Sequence, residues 1–528
     1  MRNWETAVEM LRTRARTHPR DRAVTFLPDD YTAVHLSFSE LDRRARTIAG
    51  SLQERAEPGA RLMLLYPPGL EYVAAFFGCL YAGMVAVPVY PPRLNRSRNR
   101  PLSIALDSNP SLILTTHEWA VRSSWMSECP WIATDTIEAV PWREPAIGRS
   151  TLAMLQYTSG STGDPKGVML SHGNILSNLE QLEDRFPNPN LARSVSWLPP
   201  YHDMGLIGSI LLPIYGGWEN ILLSPFSFLQ RPLRWLEALS RYHGVMSAAP
   251  NFAYDLCVRR IPPDQRSSLD LSHWKVAING AEPVRAATLR RFEQAFGPSG
   301  FRPEAFRPSY GLAEATLLVA SGIGPDLVDS TDRVGCGAPA SGVRLAIVDP
   351  DTGELHPNGV EGEIRVSGPN VACGYWGKSA ESDRVFRAPL GGTPFLRTGD
   401  LGFLRNGELT VTGRLKDLII VDGRNHHPGD IEATAESSHA SLRSAGCAAF
   451  SFDFDGEERV GILAEAELRA DPEEIAGAIR KSVAREHDLR VQEVLILPPG
   501  RLPKTSSGKV QRGLCREEFL ALQGGVRV

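Results

Sequence analysis

The sequence has no CxxC pair, no apolar run as long as a membrane span and no excess of one charge. Its cysteines (Cys79, Cys129, Cys257, Cys336, Cys373, Cys447 and Cys515) are scattered and odd in number. That argues against a disulfide framework or a structural zinc site, and for a reducing, cytoplasmic compartment. The opening stretch MRNWETAVEMLRTRARTHPRDRAV carries charges throughout and lacks the apolar heart of a signal peptide, so with no membrane span the chain reads as soluble. Lys and Arg total 57 against 61 Asp and Glu, a formal charge of -4, which gives no electrostatic reason to expect nucleic acid or an anionic membrane as a partner. Internal repeats and low-complexity tracts are missing too. What is present suits a small-molecule enzyme: 528 residues at 42% hydrophobic content fill several cores and predict two or three domains.

From Ser37 to Glu54 the apolar residues recur at helical spacing behind a Ser and a Glu placed to form a capping pair. Strand-like and helix-like pieces then alternate. Arg61–Tyr66 reads as a buried strand, Leu70–Ala82 as an apolar helix and Val85–Val89 as another strand, the rhythm of a layered α/β fold. Further strands are predicted at Leu112–Thr116, Val195–Leu198 and Lys275–Asn279. From about Gly335 to Gly413, short alternating segments such as VRLAIVD, EGEIRVSG and GELTVTG, broken by Gly, Asn and Pro turns, predict a small β-rich subdomain. Mixed elements return after Gly413-Arg414, where a compact C-terminal α+β domain is expected to begin.

The stretch YTSGSTGDPKGV, Tyr157 to Val168, offers hydroxyls at Thr158, Ser159, Ser161 and Thr162, glycines at 160 and 163 for close backbone approach, and Lys166 as a mobile cation. These are the parts of a phosphate cradle. A flexible surface loop has the same composition. It is not a Walker loop, because Pro165 precedes Lys166 and Gly167 follows it.

This stretch, followed by LSHGNI, closely resembles the phosphate loop of the adenylate-forming superfamily of acyl-CoA synthetases, peptide-synthetase adenylation domains and luciferases. Matching segments continue in family order: NGAEPVR from Asn279, SYGLAEAT from Ser309, RTGDLG from Arg397, GRLKDLIIVDGRN from Gly413 and PKTSSGKVQR from Pro503. The resemblance implies an N-terminal adenylation domain over 1–413 and a mobile C-terminal domain over 414–528 with its hinge at Lys416. It also implies ATP and Mg²⁺. Ser159, Gly160, Ser161, Thr162, Gly163 and Lys166 would cradle phosphates, Gly280, Ala281, Glu282, Tyr310 and Gly311 would hold the adenine, Asp400 and Arg414 the ribose, and Thr158 with Glu314 the metal. Taken singly, Asp400 is as readily an Asp in a glycine turn, Tyr310 a core aromatic, and Glu314 and Arg414 solvated charges. Six matches in order make the shared site the better explanation.

In such an enzyme a carboxylate attacks the α-phosphorus of ATP and pyrophosphate leaves. Two anions must meet, so a cation beside them lowers the barrier. Lys509, in KTSSGK, resembles the family's catalytic lysine, although a lysine near a C-terminus is ordinarily solvated. Lys416 matches the hinge residue and is otherwise a polar linker residue.

Two segments, SWLPPYHDMGLIG and LYPPGLEYVAAFFGCLYAGMVAVPVYPPR, resemble the fatty acyl-AMP ligase branch, as does GRNHHPGDIE from Gly423. That branch passes its adenylate to an acyl carrier protein. The apolar run interrupted by His202, Asp203, Met204 and Gly205 suits an acyl tunnel with a polar mouth, and equally a buried helix; His202 resembles the gate beside the acyl carboxylate. One departure stands out. Only Ser321 to Arg333 separate TLLVA from Val334, so the insertion typical of the branch is shortened or absent. An acyl-CoA synthetase therefore remains an alternative acceptor reading, and a non-catalytic nucleotide- or lipid-binding protein a more distant one. A peptide-synthetase-like activator lacks an acidic partner for an α-ammonium apart from Asp203. No fused carrier module is recognisable, so the expected partners are a fatty acid and a separate carrier protein, or a carrier domain of a polyketide or peptide synthase.

Overall fold

The helix Phe38–Gln53 starts where its chemistry dictates. Ser37 Oγ accepts from the Glu40 amide at 3.3 Å while Glu40 Oε2 accepts from the Ser37 amide at 2.8 Å, a reciprocal cap contributing about 1 kcal/mol. Its buried stripe of Leu41, Ala45, Ile48, Ala49 and Leu52 packs on a second helix, Leu70–Tyr81, which is buried on every side from Tyr72 onward. That all-round burial explains the lack of amphipathic spacing in the second helix. Phe76 and Phe77, both fully buried, each contribute about 2 kcal/mol of burial.

This computed structural model describes residues 3–525 apart from 30–31, 92–98, 124–128, 159–164, 188–191, 325–326, 330–332, 422–423, 455–456, 468–470 and 506–507. Two mostly parallel sheets enclose the helix Leu70–Tyr81. One runs Trp131–Ala133, Leu112–Thr115, Arg61–Leu64, Val85–Pro88, Leu152–Tyr157 and Gly167–Ser171, with the last strand antiparallel. The other places Phe306–Gly311, Val276–Asn279, Met246–Ala249, Ser194–Ser196, Asn220–Leu223 and Arg22–Leu27 side by side in parallel. Antiparallel strands close its two edges. One continuous core reaches from Trp4 to Leu409.

The β-rich region is a five-stranded sheet, paired antiparallel throughout, that includes Arg344–Val348, Gly362–Ser367, Thr393–Arg405 and Glu408–Arg414. Its last hairpin turns at Asn406-Gly407, both at positive φ (53° and 82°), the pattern of a tight type I′ turn. A one-residue bulge at Thr412 then shifts the register and sets Asp400 opposite Arg414.

Beyond Arg414 the chain builds separate cores. The sheet Leu442–Phe454, Glu457–Ala466 and Val491–Leu497 carries the helices Pro428–Ser437 and Pro472–His487 on one face and Arg512–Gly525 on the other. A single helical turn, Leu415–Asp417, joins this unit to the rest. The apolar run after Asp203 is a buried π-helix, Met204–Leu211, continuing into Leu212–Gly216. It is thus a helix and, as shown below, also a cavity wall. All seven cysteines are unpaired, and no helix among the described residues is long and apolar enough to cross a membrane.

Candidate active site

The parallel strands Met246–Ala249, Val276–Asn279 and Phe306–Gly311 end together, and ligands of open α/β sheets bind at such carboxyl ends. Here the ends floor a cavity of about 880 Å³, roofed by the C-terminal unit. Ala281 just past one strand end has φ 69°, and Thr316, after the turn Ala313–Ala315, has φ 66°. A β-branched residue at positive φ is strained, and such strain concentrates at functional sites. Thr316 is held there by Oγ1 donating to the Asn370 carbonyl at 2.7 Å. The Asn370 amide in turn donates to the carbonyls of Ala315 and Leu318. The turn carrying Glu314 is thereby clamped from both sides.

Tyr310, Asp400 and Arg414 form a ladder. The Tyr310 hydroxyl donates to Asp400 Oδ2 at 2.7 Å and Arg414 Nε to Oδ1 at 2.9 Å. Burial and the neighbouring Asp400 charge push the Tyr310 phenol well up, so it stays a donor. Asp400 is 5% exposed whereas the Arg414 side chain is half exposed. A polyhydroxylated ligand therefore finds an immobile acceptor pair with a cation above it.

Thr158 and Lys166 lie at the mouth of the hairpin between Leu152–Tyr157 and Gly167–Ser171. A hairpin loop, unlike a Walker loop, feeds no helix. Ser159, Gly160, Ser161, Thr162 and Gly163 lie outside the described residues. Lys166 Nζ pairs with Glu381 Oε1 at 2.5 Å and sits 5.2 Å from the centre of the Tyr375 ring. Tyr375 donates to Glu314 Oε1 at 2.9 Å; burial raises the Glu314 carboxyl above its ordinary range despite that bond.

Lys509 enters from the C-terminal unit. Its amide donates to Thr505 Oγ1 at 3.0 Å and its carbonyl accepts from the Thr505 amide at 2.8 Å, a closed turn that presents the side chain to the cavity. Burial lowers its pKa, countered by the carboxylates of Asp203, Glu282 and Asp400. Asp203 feels burial in the opposite sense, but His202 and Lys509 outweigh it and hold the carboxyl below its usual range. His202 Nδ1 lies 2.6 Å from Asp203 Oδ1, so the imidazole is tethered through Nδ1. Lys416 also lines the cavity, its pKa lowered by burial and by Arg414.

Two of the expected residues do not line this cavity. Glu282 turns away, accepting from the Phe252 amide at 2.6 Å, and faces a neighbouring cavity of about 1290 Å³ between the domains. Gly280, Ala281, Tyr310 and Gly311 line the main cavity, and Ala281, Tyr310 and Gly311 border the neighbouring one as well. Gly205 is a packing glycine, since a Cβ there would come 2.0 Å from the Pro199 carbonyl. Met204 and Gly208 of the π-helix do face the cavity and, with Leu182, Phe186, Leu312 and Leu317, make an apolar arm. Glu381, Tyr375 and Arg397 also line the site and were not singled out from sequence. Arg397 lay inside RTGDLG and was legible there, whereas Glu381 sits in an ordinary amphipathic helix, Ser379–Phe386, with no local signal.

Three polar pairs tie the domains together around the site. Arg285 donates to Glu436, His427 Nε2 lies 3.2 Å from Glu361, and Arg333 lies 3.6 Å from Asp430.

The chain matches the model for the AMP-binding enzyme family over residues 11–376, and that for the AMP domain of Disco-interacting protein 2-like proteins over 416–523. It is 42% identical over 565 residues to the medium-chain-fatty-acid–[acyl-carrier-protein] ligase JamA of Moorena producens, covering 98% of this chain and 95% of that one. The long-chain-fatty-acid–AMP ligase FadD28 of Mycobacterium tuberculosis is 39% identical over 568 residues, covering 96% of this chain and 97% of that one. The crystal structure of the L. pneumophila fatty acyl-adenylate ligase in complex with acyl adenylate and pyrophosphate superposes with a TM-score of 0.77 at 40% identity, covering 98% of this chain and 96% of the other.

Proposed function

The chain belongs to the AMP-binding enzyme family, and from that premise we propose that it activates a fatty acid with ATP to an acyl-adenylate and hands the acyl group to a separate acyl carrier protein. The observation that carries this reading is one cavity holding three things at once: the Tyr310–Asp400–Arg414 ladder, Lys509 and an apolar arm.

The ladder takes the ribose hydroxyls and the backbone of Gly280, Ala281 and Gly311 flanks the base. The alkyl chain enters the arm between Met204, Gly208 and Leu317, which places its carboxylate at the mouth beside His202 and Lys509. One carboxylate oxygen attacks the α-phosphorus, a new O–P bond forms, and the bond to the bridging oxygen breaks with pyrophosphate taking the electron pair. Lys509 offsets the charge of the two approaching anions, a contribution of about 3 kcal/mol for one well-placed donor. Glu314, a half-buried carboxylate that accepts from the Tyr375 phenol, and the Thr158 hydroxyl are hard oxygen donors that fit Mg²⁺. Bound there, the ion would supply charge neutralisation for the departing phosphates. The turn Leu415–Asp417 with Lys416 is the hinge about which the C-terminal domain, starting at Arg414, reorients for transfer.

A second acceptor, coenzyme A, draws support from the shortness in sequence of the Ser321–Arg333 connection. The test supplies ATP, Mg²⁺ and fatty acids of graded length, then either coenzyme A or a phosphopantetheinylated carrier protein. Acyl-carrier as the dominant product is expected; acyl-CoA at a rivalling rate would overturn the acceptor assignment.

A further inference from the structure

At the opposite end of the central sheet, away from the active site, three side chains with metal-binding atoms converge. His243 follows the helix Leu233–Arg241, and Asp270 and His273 sit in the turn before the strand Val276–Asn279. Their ligand atoms all lie within 4.8 Å of one another. His273 Nε2 is 3.9 Å from Asp270 Oδ2, and the two imidazole rings are 4.4 Å apart. We propose that His243, Asp270 and His273 form a surface site for a divalent transition ion of the zinc class, a clip unconnected with the adenylation chemistry.

Four observations carry this. The donor set of two imidazoles and one carboxylate is that of three-ligand zinc sites, with water completing the tetrahedron. No other group of three such residues meets this closely among the described residues. The supporting loops are already fixed: the Asp270 amide donates to Ser240 Oγ at 2.9 Å, and Asp270 Oδ1 accepts from the Ser272 amide at 3.0 Å, leaving Oδ2 turned toward His273. Trp274, beside His273, is 1% exposed and anchors the turn, while the Lys275 amide donates to the Val245 carbonyl at 2.9 Å and ties it to the His243 loop. Binding thus orders little that is still free, which favours affinity. Finally, His243 is the left-handed residue (φ 52°) of the Schellman-type close of its helix, with the Gly244 amide donating to the Leu239 carbonyl at 2.8 Å, so its backbone is fixed before any ion binds. Glycine is the usual residue at such a close, so the helix end itself does not demand an imidazole.

The strands Met246–Ala249 and Val276–Asn279 run in parallel from these loops to the cavity floor, about 13 Å away at four residues each. The ion would therefore raise thermal stability, by binding only the folded chain, and leave adenylation unchanged.

The test titrates Zn²⁺ alone into the full chain saturated with Mg²⁺, in a Cys373→Ser background that removes the exposed thiol, by calorimetry and by thermal melting. One saturable equivalent and a higher melting temperature with Zn²⁺ are expected. Both should be lost, with binding more than about tenfold weaker, in His243→Gly and in His273→Ala. Glycine relieves the positive φ, so His243→Gly should melt in chelator no lower than its parent, which keeps a lost equivalent from being confused with misfolding. No saturable equivalent in the parent, or the same equivalent in both variants, would overturn the assignment.

Discussion

Replacing Glu436 by Gln removes one charge from the Arg285–Glu436 contact while keeping its shape. Glu436 belongs to the C-terminal domain and its side chain is 7% exposed, while that of Arg285, on the large domain, is 31% exposed. Burial pushes the Glu436 carboxyl up and Arg285 pulls it back, so the contact depends on both members. A hydrogen bond to a charged group contributes about 1.5–3 kcal/mol. The low end applies, because Arg285 is partly solvated and keeps the fields of Glu432 and Glu282. On the proposed reorientation about Lys416, a loss of about 1.5 kcal/mol changes the ratio of closed to reoriented domains about tenfold. The assay compares exchange of labelled pyrophosphate into ATP, which on that proposal needs the arrangement with Lys509 in the cavity, with acyl transfer from preformed adenylate, which on the same proposal needs the other. The exchange-to-transfer ratio should fall about tenfold in Glu436→Gln, and much less in Asp430→Asn, whose contact with Arg333 is longer and solvated. An unchanged ratio, or equal loss in both half-reactions, would refute the reasoning.

Gly208 faces the apolar arm, and a Cβ there would meet Leu317 Cδ2 at 3.1 Å, the far end of a flexible side chain. Gly208→Val should fold, shorten the arm and cost long chains about fourfold in kcat/KM for each excluded methylene; a chain-length profile superimposable on wild type would contradict that. His172 is buried, accepts from the Ala7 amide through Nδ1, and burial lowers its pKa from an ordinary 6.5 to about 4. Because the folded state disfavours the proton, this stability is complete above about pH 6.5 and lost as pH falls toward 4, about 3 kcal/mol in all. Urea midpoints of His172→Asn should fall less steeply across that window than those of wild type, and identical slopes would argue against it.

Much of the scaffold was legible because local chemistry decides it. The Ser37/Glu40 cap, the buried strands and the Asn406-Gly407 hairpin each follow from adjacent residues, but the turn alone would set Asp400 across from Gly413, and a one-residue bulge at Thr412 brings Arg414 there instead. The Glu282 side chain faces the neighbouring cavity because its orientation is settled by the Phe252 amide, thirty positions away in the chain. Its immediate neighbours Gly280 and Ala281 do face the main cavity, so motif membership alone does not fix which side chain points inward. The Arg285–Glu436 pair spans 151 positions and exists only because the domains dock, and Glu381 reaches Lys166 across 215. The π-helix defeated a choice between tunnel and buried helix because one edge of it is cavity wall while the rest is core.

The central claim, that Lys509 and the ladder beneath it make acyl-adenylate, is tested most directly by mass spectrometry of single-turnover mixtures of enzyme, ATP, Mg²⁺ and a fatty acid, with Lys509→Gln alongside wild type. Wild type should give acyl-AMP and pyrophosphate in equal amounts, and Lys509→Gln should be slower by about 10²–10³ while retaining ATP affinity. Formation of ADP and phosphate, no acyl-AMP at any chain length, or equal rates in the two proteins would contradict it.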